Sequence, residues 1–146
     1  MRNAGRGDHV FVDTSAYFAA VNRRDAAHER VAALMQELVQ ARRQSVTTNF
    51  VLAELHALLL NRTGRRMAAL VLADVEASTS TTVVHVGVGD DLREREIVYG
   101  YTDKDFSLTD AISFAVMERL GISQAFTLDR NFVQFGWSVL DRSAGH

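Results

Sequence analysis

Short apolar runs alternate along the chain with longer stretches in which apolar residues recur every three or four positions. The brief runs predict buried strands and the periodic stretches predict helices. The predicted strands are 9–13, 45–48, 81–86, 124–127 and, at an edge, 137–140. The predicted helices are a short one through 17–21, then 26–41, 50–61, 65–77, a segment around 92–98, and 107–120. This alternation predicts a three-layer α/β/α fold with a central, mostly parallel sheet.

Asn49 is the predicted cap of the helix at 50–61, and Leu58 lies on the apolar stripe of that helix. The helix at 65–77 is predicted to turn four apolar residues inward: Met67, Leu70, Val71 and Val75.

The predicted helix at 107–120 is too apolar to lie on a surface, because its apolar residues surround most of its circumference. Asp110 lies in its first turn, where an unpaired buried charge would cost on the order of several kcal/mol. Two interpretations stay open from this segment alone. Ser107 and Asp110 form a capping box, or Asp110 is a functional acid.

Acidic residues also follow the predicted strands. Asp13 comes directly after the first strand, and Asp129 lies just beyond the fourth. Parallel sheets bind ligands beyond the carboxyl ends of their strands, near the point where strand order reverses. Glu54 lies on the helix after the second strand, at the edge of its apolar stripe, where we expect a partly buried position. Each acid alone could be a turn, cap or surface residue, but together they predict one acidic site.

Clustered carboxylates repel one another unless a cation keeps them ionised. Oxygen ligands in a chain without cysteine favour Mg²⁺, with Mn²⁺ as a substitute, over zinc, and the five histidines show no paired metal spacing. A water on such an ion can attack a phosphodiester in line. The pattern therefore points to metal-dependent hydrolysis of nucleic acid.

Composition narrows the class of protein further. The 146 residues contain no linker or internal repeat, so we expect one domain, 1–146, with a loose terminus at 1–8. No apolar run resembles a signal peptide or a membrane span, and cysteine is absent, so we expect a soluble, cytoplasmic protein with no membrane contact. The formal net charge is −2, and the chain without its four candidate acids would carry +2, which permits phosphate binding around an acidic centre.

Four segments, taken in order and at their separations, resemble the PIN-domain ribonucleases, and VapC-type toxins in particular. The segments are Phe-Val-Asp13-Thr-Ser, Ala-Glu54-Leu, Phe-Ser-Leu-Thr-Asp110-Ala-Ile-Ser-Phe and Phe-Thr-Leu-Asp129-Arg-Asn-Phe. The resemblance covers the chain from Val10 to Gly136. It implies a PIN-like fold and a single-strand endoribonuclease whose catalytic, Mg²⁺-binding acids are Asp13, Glu54, Asp110 and Asp129.

The same resemblance implies further groups and partners. Thr14, Ser15, Thr127 and Asn131 would position the acids, whereas Asp105 is either a fifth carboxylate at the site or a turn residue. The substrate would be single-stranded or structured RNA, and the protein would form a homodimer. A cognate antitoxin would lay a segment in the active groove. Candidates for the RNA path are Arg23-Arg24, Arg65-Arg66 and Lys104.

Two other classes of protein remain as alternatives. A phospho-acceptor domain also gathers acids around Mg²⁺, but Asp13 is not followed two residues later by a second aspartate, and the only lysine, Lys104, lies outside the predicted strands. A non-catalytic PIN-like module that binds RNA or protein would be expected to have lost at least one acid. All four are present, which favours the enzyme.

Overall fold

The computed structural model describes residues 8–140, and a parallel sheet of five strands runs through them. The strands are β1 (His9–Val12), β2 (Gln44–Thr48), β3 (Thr81–Val84), β4 (Gln124–Phe126) and β5 (Ser138–Val139). The helices of this part of the chain are α1 (Thr14–Val21), α2 (His28–Gln40), α3 (Asn49–Thr63), α4 (Arg65–Ala77), α5 (Val88–Gly100), α6 (Leu108–Leu120) and α7 (Arg130–Phe135). The predicted three-layer α/β/α fold is confirmed. The terminus predicted to be loose lies, except for Asp8, outside the described residues.

The order of the strands across the sheet is β3-β2-β1-β4-β5, and every neighbouring pair is parallel. In the register, Phe11 of β1 lies between Val46 of β2 and Ala125 of β4. The chain builds outward from β1 to β3 and then returns to the other side of β1 to form β4. Strand order therefore reverses between β1 and β4, where the ends of the two strands leave a crevice for a ligand.

The core is centred on the middle strands and on α6. Val10, Phe11 and Val12 of β1 are fully buried, a continuous run that is typical of a parallel strand covered on both faces. On α6, every residue from Ala111 to Met117 is buried, which confirms that this helix lies inside the protein. Phe114 of α6 packs edge-on against Phe132 of α7, with ring centres 4.9 Å apart. The helix that carries Asp110 is thus fixed by its surroundings.

Some predicted boundaries differ from those observed. Helix α2 begins at His28 rather than at residue 26, because Asp25 forms a turn in which its Oδ1 accepts a hydrogen bond from the Ala27 N–H at 2.8 Å. The cap of α3 is Thr48, whose hydroxyl accepts from the Val51 N–H at 3.1 Å. Asn49, the predicted cap, instead accepts from the Val86 N–H beyond the end of β3.

The inward face predicted for α4 is partly wrong. Val71 and Val75 face inward as expected, together with Ala68, but Met67 and Leu70 are exposed. Helix α4 packs chiefly against α3, so a narrow stripe of its surface is covered. Among the described residues, no helix has the length and apolar character needed to cross a membrane.

Candidate active site

A pocket opens where the chain leaves β1 and β4, at the point of strand reversal. All four predicted acids line it, as do Asp105 and three of the predicted positioning residues. The full lining is Asp13, Thr14, Ser15, Glu54, Leu58, Asp105, Ser107, Asp110, Asp129 and Asn131. The fourth positioning residue, Thr127, is buried and reaches the pocket through Asp13. The fold thus brings the predicted residues together, while their roles stay predictions.

Asp13 links the ends of the two central strands. Its Oδ2 accepts hydrogen bonds from the Ser15 and Thr127 hydroxyls, each at 3.0 Å. Its backbone N–H donates to the Phe126 carbonyl at 3.1 Å, which continues the pairing of β1 with β4. With only 4% of its surface exposed, the Asp13 side chain is held rigidly at the base of the pocket.

Asp110 forms the predicted capping box and also lines the pocket. The Ser107 hydroxyl accepts a hydrogen bond from the Asp110 N–H at 3.0 Å, and Asp110 Oδ2 accepts from the Ser107 N–H at 3.3 Å, so the capping box is present. The same oxygen accepts a hydrogen bond from Asn131 Nδ2 at 2.9 Å. A capping carboxylate therefore also faces the pocket.

Asp129 and Glu54 complete the set of acids. Asp129 caps α7 through a hydrogen bond from the Asn131 N–H to its Oδ1 at 2.9 Å. Glu54 Oε1 accepts a hydrogen bond from the Thr14 hydroxyl at 2.6 Å, which joins α3 to the start of α1. The prediction that Glu54 is partly buried is wrong, because its side chain is exposed at the mouth of the pocket.

The four acids share one feature. At least one oxygen of each carboxylate accepts a hydrogen bond from a neighbouring group: Oδ2 of Asp13, Oε1 of Glu54, Oδ2 of Asp110 and Oδ1 of Asp129. The carboxylate of Asp13 is also hydrogen-bonded by the backbone of Thr14, and that of Asp110 by Ser107. All four carboxylates are therefore anchored while they line the pocket.

The acids also raise one another's pKa. Burial raises the pKa of Asp13 to about 6, the hydrogen bond from Thr127 opposes that rise, and the charge of Asp110 adds to it. Burial likewise raises the pKa of Asp110, opposed by the hydrogen bond from Asn131 and supported by the charge of Asp129. A cation in the pocket would relieve this repulsion.

The ligand chemistry of the pocket fits a hard divalent cation. The polar groups that line it are carboxylates, hydroxyls and an amide, and no histidine is among them. In the described part of the chain, no three His, Asp or Glu side chains form a ready-made metal cage. Mg²⁺ does not need such a cage, because it keeps several of its waters and is held by few protein ligands.

Two lining residues were not predicted to be part of the site. Ser107 was predicted only as a helix cap, yet its side chain also lines the pocket. Leu58 was predicted only as core. Its spacing of four residues from Glu54 places both on one side of α3, and this spacing is the signal in the sequence that could have identified it.

Comparison with known proteins identifies the family of this chain. The PIN domain family model matches residues 10–137. VapC20 of Mycobacterium tuberculosis strains CDC 1551 and H37Rv, described as a 23S rRNA-specific endonuclease, is 37% identical over 133 residues, which cover 88% of this chain and 95% of VapC20.

Solved structures show the same architecture. The crystal structure of M. tuberculosis VapC20, described as a sarcin-ricin loop cleaving toxin, aligns with a TM-score of 0.78 at 34% identity over 88% of this chain and 95% of that one. FitAcB from Neisseria gonorrhoeae aligns with a TM-score of 0.67 over 90% and 96% of the two chains, but its 14% identity supports the fold alone. With a family match that spans most of its length and a VapC relative that it covers almost end to end, this chain belongs to the PIN-domain family.

Proposed function

We infer that this protein is a VapC-type endoribonuclease that hydrolyses phosphodiester bonds of RNA. The observation that carries this conclusion is the convergence of Asp13, Glu54, Asp110 and Asp129 on one pocket at the point of strand reversal. The likeness to VapC20, an rRNA endonuclease, supports the same activity. A chain retained only for binding would not need four carboxylates in one pocket.

We propose Mg²⁺, with Mn²⁺ as a substitute, as the cation that these four acids bind. When bound, the ion supplies a water that is easily deprotonated and offsets the charge that develops on the phosphate. The donor set of the pocket and the raised pKa values of Asp13 and Asp110 support this proposal.

The neighbouring side chains hold the acids in place. Ser15 and Thr127 orient Asp13, Asn131 orients Asp110, and Thr14 orients Glu54. A site whose charges are already oriented pays little reorganisation energy during the reaction. Asp105 lines the same pocket and is exposed on its rim.

The test is cleavage of RNA by the native protein and by Asp110→Asn. We expect the native protein to cleave a mixed RNA pool in Mg²⁺ or Mn²⁺ but not in EDTA, and Asp110→Asn to be at least about 100-fold slower. Asp74→Asn, which removes an exposed carboxylate on α4, should leave the rate unchanged. Equal cleavage by the native protein and Asp110→Asn would contradict the assignment.

The substrate class can be tested in parallel. We propose that the protein cuts structured RNA like that described for VapC20, so a sarcin-ricin stem-loop should be cleaved faster than the same nucleotides in scrambled order. Equal rates on both RNAs would indicate a substrate of another kind. Action in the cytoplasm and silencing by a cognate antitoxin, whose segment would lie in the acidic groove, also stay predictions.

We further propose that the protein is a homodimer that pairs through the outer face of α5. Val88, Leu92 and Tyr99 lie within about 40° of one another on this helix and are 77%, 63% and 74% exposed. Asp91 and Arg95 lie beside them and form an ion pair with each other at 3.2 Å, so a second copy related by a two-fold axis would bring an opposite charge to each.

Sedimentation tests this dimer. The native protein should sediment as a dimer, Leu92→Glu should dissociate it, and Leu70→Glu, on α4, should not. A monomeric native protein would refute this.

A further inference from the structure

The interface between α1 and α3 begins at the acidic pocket and extends away from it. At the pocket, the Thr14 hydroxyl of α1 bonds Glu54 of α3. One turn further along α1 lies Phe18, and two turns further along α3 lies Arg62. The guanidinium carbon of Arg62 is 5.9 Å from the centre of the Phe18 ring. Glu54, Leu58 and Arg62 are four residues apart and therefore share one side of α3.

Arg62 differs from the arginines of the helix pair α5 and α6. Arg93, Arg95 and Arg119 each form ion pairs with acidic side chains. Arg62 is exposed, and no carboxylate within residues 8–140 pairs with it. Among the residues that the structure describes, it is therefore a cation without an acidic partner, one helical turn beyond the pocket-lining Leu58.

The ring of Phe18 orients the guanidinium of Arg62 without occupying the hydrogen-bond donors of that guanidinium. Phe18 is only 8% exposed, so its ring cannot move freely. A guanidinium over an aromatic ring is oriented by the attraction of the ring face, while its N–H groups remain free to bind an anion. The planar fork of donors matches the geometry of a phosphate.

The charges of the site require such a cation for RNA to bind. The pocket is lined by acids, and a metal there would neutralise only its centre, whereas RNA carries one negative charge at each nucleotide. Affinity for the rest of the strand must come from basic residues around the pocket. Arg62 lies about 12 Å from Glu54 along the helix axis, so its position suits a phosphate beyond the one that is cut.

We propose that Arg62 binds a backbone phosphate of the RNA outside the acidic pocket and that Phe18 positions the guanidinium for this contact. The proposal rests on the proposed endoribonuclease function and adds the direction in which the strand leaves the pocket. This contact depends on the charge of the phosphate and not on the base sequence of the RNA.

Equilibrium binding at several salt concentrations tests this contact without depending on cleavage. A fluorescent single-stranded RNA is titrated with protein in EDTA, so that the strand stays intact. For Arg62→Gln we expect affinity to fall about threefold or more, and the slope of log K against log salt to lessen by about 0.7, the value for one phosphate contact on a single strand. Arg62→Lys, which keeps the charge, should retain the native slope.

Arg42→Gln is the matched control. It removes the same charge from an exposed arginine just before β2, at the amino ends of the strands and therefore away from the pocket at their carboxyl ends. It should leave both affinity and slope unchanged. Phe18→Leu, with its folding verified by circular dichroism, should weaken binding in the native background but not in Arg62→Gln, because the ring acts through the guanidinium.

Kinetics supply a second readout. Arg62→Gln should raise KM with kcat nearly unchanged, since a remote phosphate contact contributes equally to substrate and transition state. If the native protein binds and cleaves RNA while Arg62→Gln keeps the native affinity and slope, or Arg42→Gln weakens binding as much, the inference fails and the endoribonuclease function stands. If the native protein neither binds nor cleaves RNA, both fail.

Discussion

Asp13 is a buried acid, and its burial sets a dependence of stability on pH. Its pKa is about 6 in the folded protein against 3.8 for an unperturbed aspartate, so between these values the folded state holds the proton more tightly than the unfolded state does. Its stabilising contribution is fully present below pH 3.8 and is lost as the pH rises through 6. At neutral pH the ionised carboxylate therefore opposes folding when no cation is bound.

We accordingly expect Asp13→Asn to stabilise the metal-free protein at pH 8. The gain in free energy of unfolding should be about 1 to 3 kcal/mol, and it should shrink toward zero by pH 4. Urea unfolding in EDTA at the two pH values measures the difference. A variant that is less stable than the native protein at pH 8 would show that the hydrogen bonds from Ser15 and Thr127 outweigh the cost of burial.

Asn131 tests whether orientation of an acid matters as well as its charge. Its Nδ2 donates to Asp110 at 2.9 Å, whereas its contact with Asp129 comes from the backbone and survives substitution. Asn131→Ala should lower the cleavage rate or metal affinity about 10- to 100-fold, as loss of groups that orient metal ligands does. Gln134→Ala, exposed on the same helix, is the control and should retain the native rate.

At the scale of the element, α6 contributes both to the core and to the pocket. It fills the core, and its first turn presents Asp110 to the pocket through the capping box with Ser107. Ser107→Ala removes the side-chain acceptor and should lower the free energy of unfolding by about 1 kcal/mol. Ser107→Thr keeps a hydroxyl and should restore most of that loss. Urea denaturation of the three proteins compares these values, and an Ala variant as stable as the native protein would contradict the role of the cap.

The elements themselves were largely predictable, because their signals are local. The run that ends at Asp13 is apolar and short, and the helix that follows Ser107 is apolar on all sides. Exposure was less predictable, since it depends on what covers each face. Periodicity placed Leu70 inward, but α4 is covered only along the stripe that contains Ala68, Val71 and Val75.

The convergence of the four acids on one pocket could be predicted, but their contacts could not. Asp13 and Thr127 are 114 residues apart and meet only because β1 pairs with β4. The bond between Thr14 and Glu54 depends in the same way on the packing of α1 against α3. Arg62 was overlooked because an arginine in a helix carries no local sign of the ring beneath it.

At the scale of the whole molecule, metal binding should reverse which protein is more stable, the native protein or a variant that lacks the carboxylates of Asp13 and Asp110. A ligand that binds only the folded state stabilises it, by about 2.7 kcal/mol at a concentration 100 times its dissociation constant. Millimolar Mg²⁺ should therefore raise the Tm of the native protein, while a variant with both Asp13→Asn and Asp110→Asn should not respond. In EDTA at pH 8 the same double variant should melt above the native protein, because both substitutions remove acids whose pKa burial raises. A pair of thermal melts, with and without Mg²⁺, measures both effects. Equal responses of the two proteins to Mg²⁺ would show that these acids do not form the metal site. If the native protein has the lower Tm in EDTA and the higher Tm in Mg²⁺, the acids that bind the cation lower the stability of the metal-free protein.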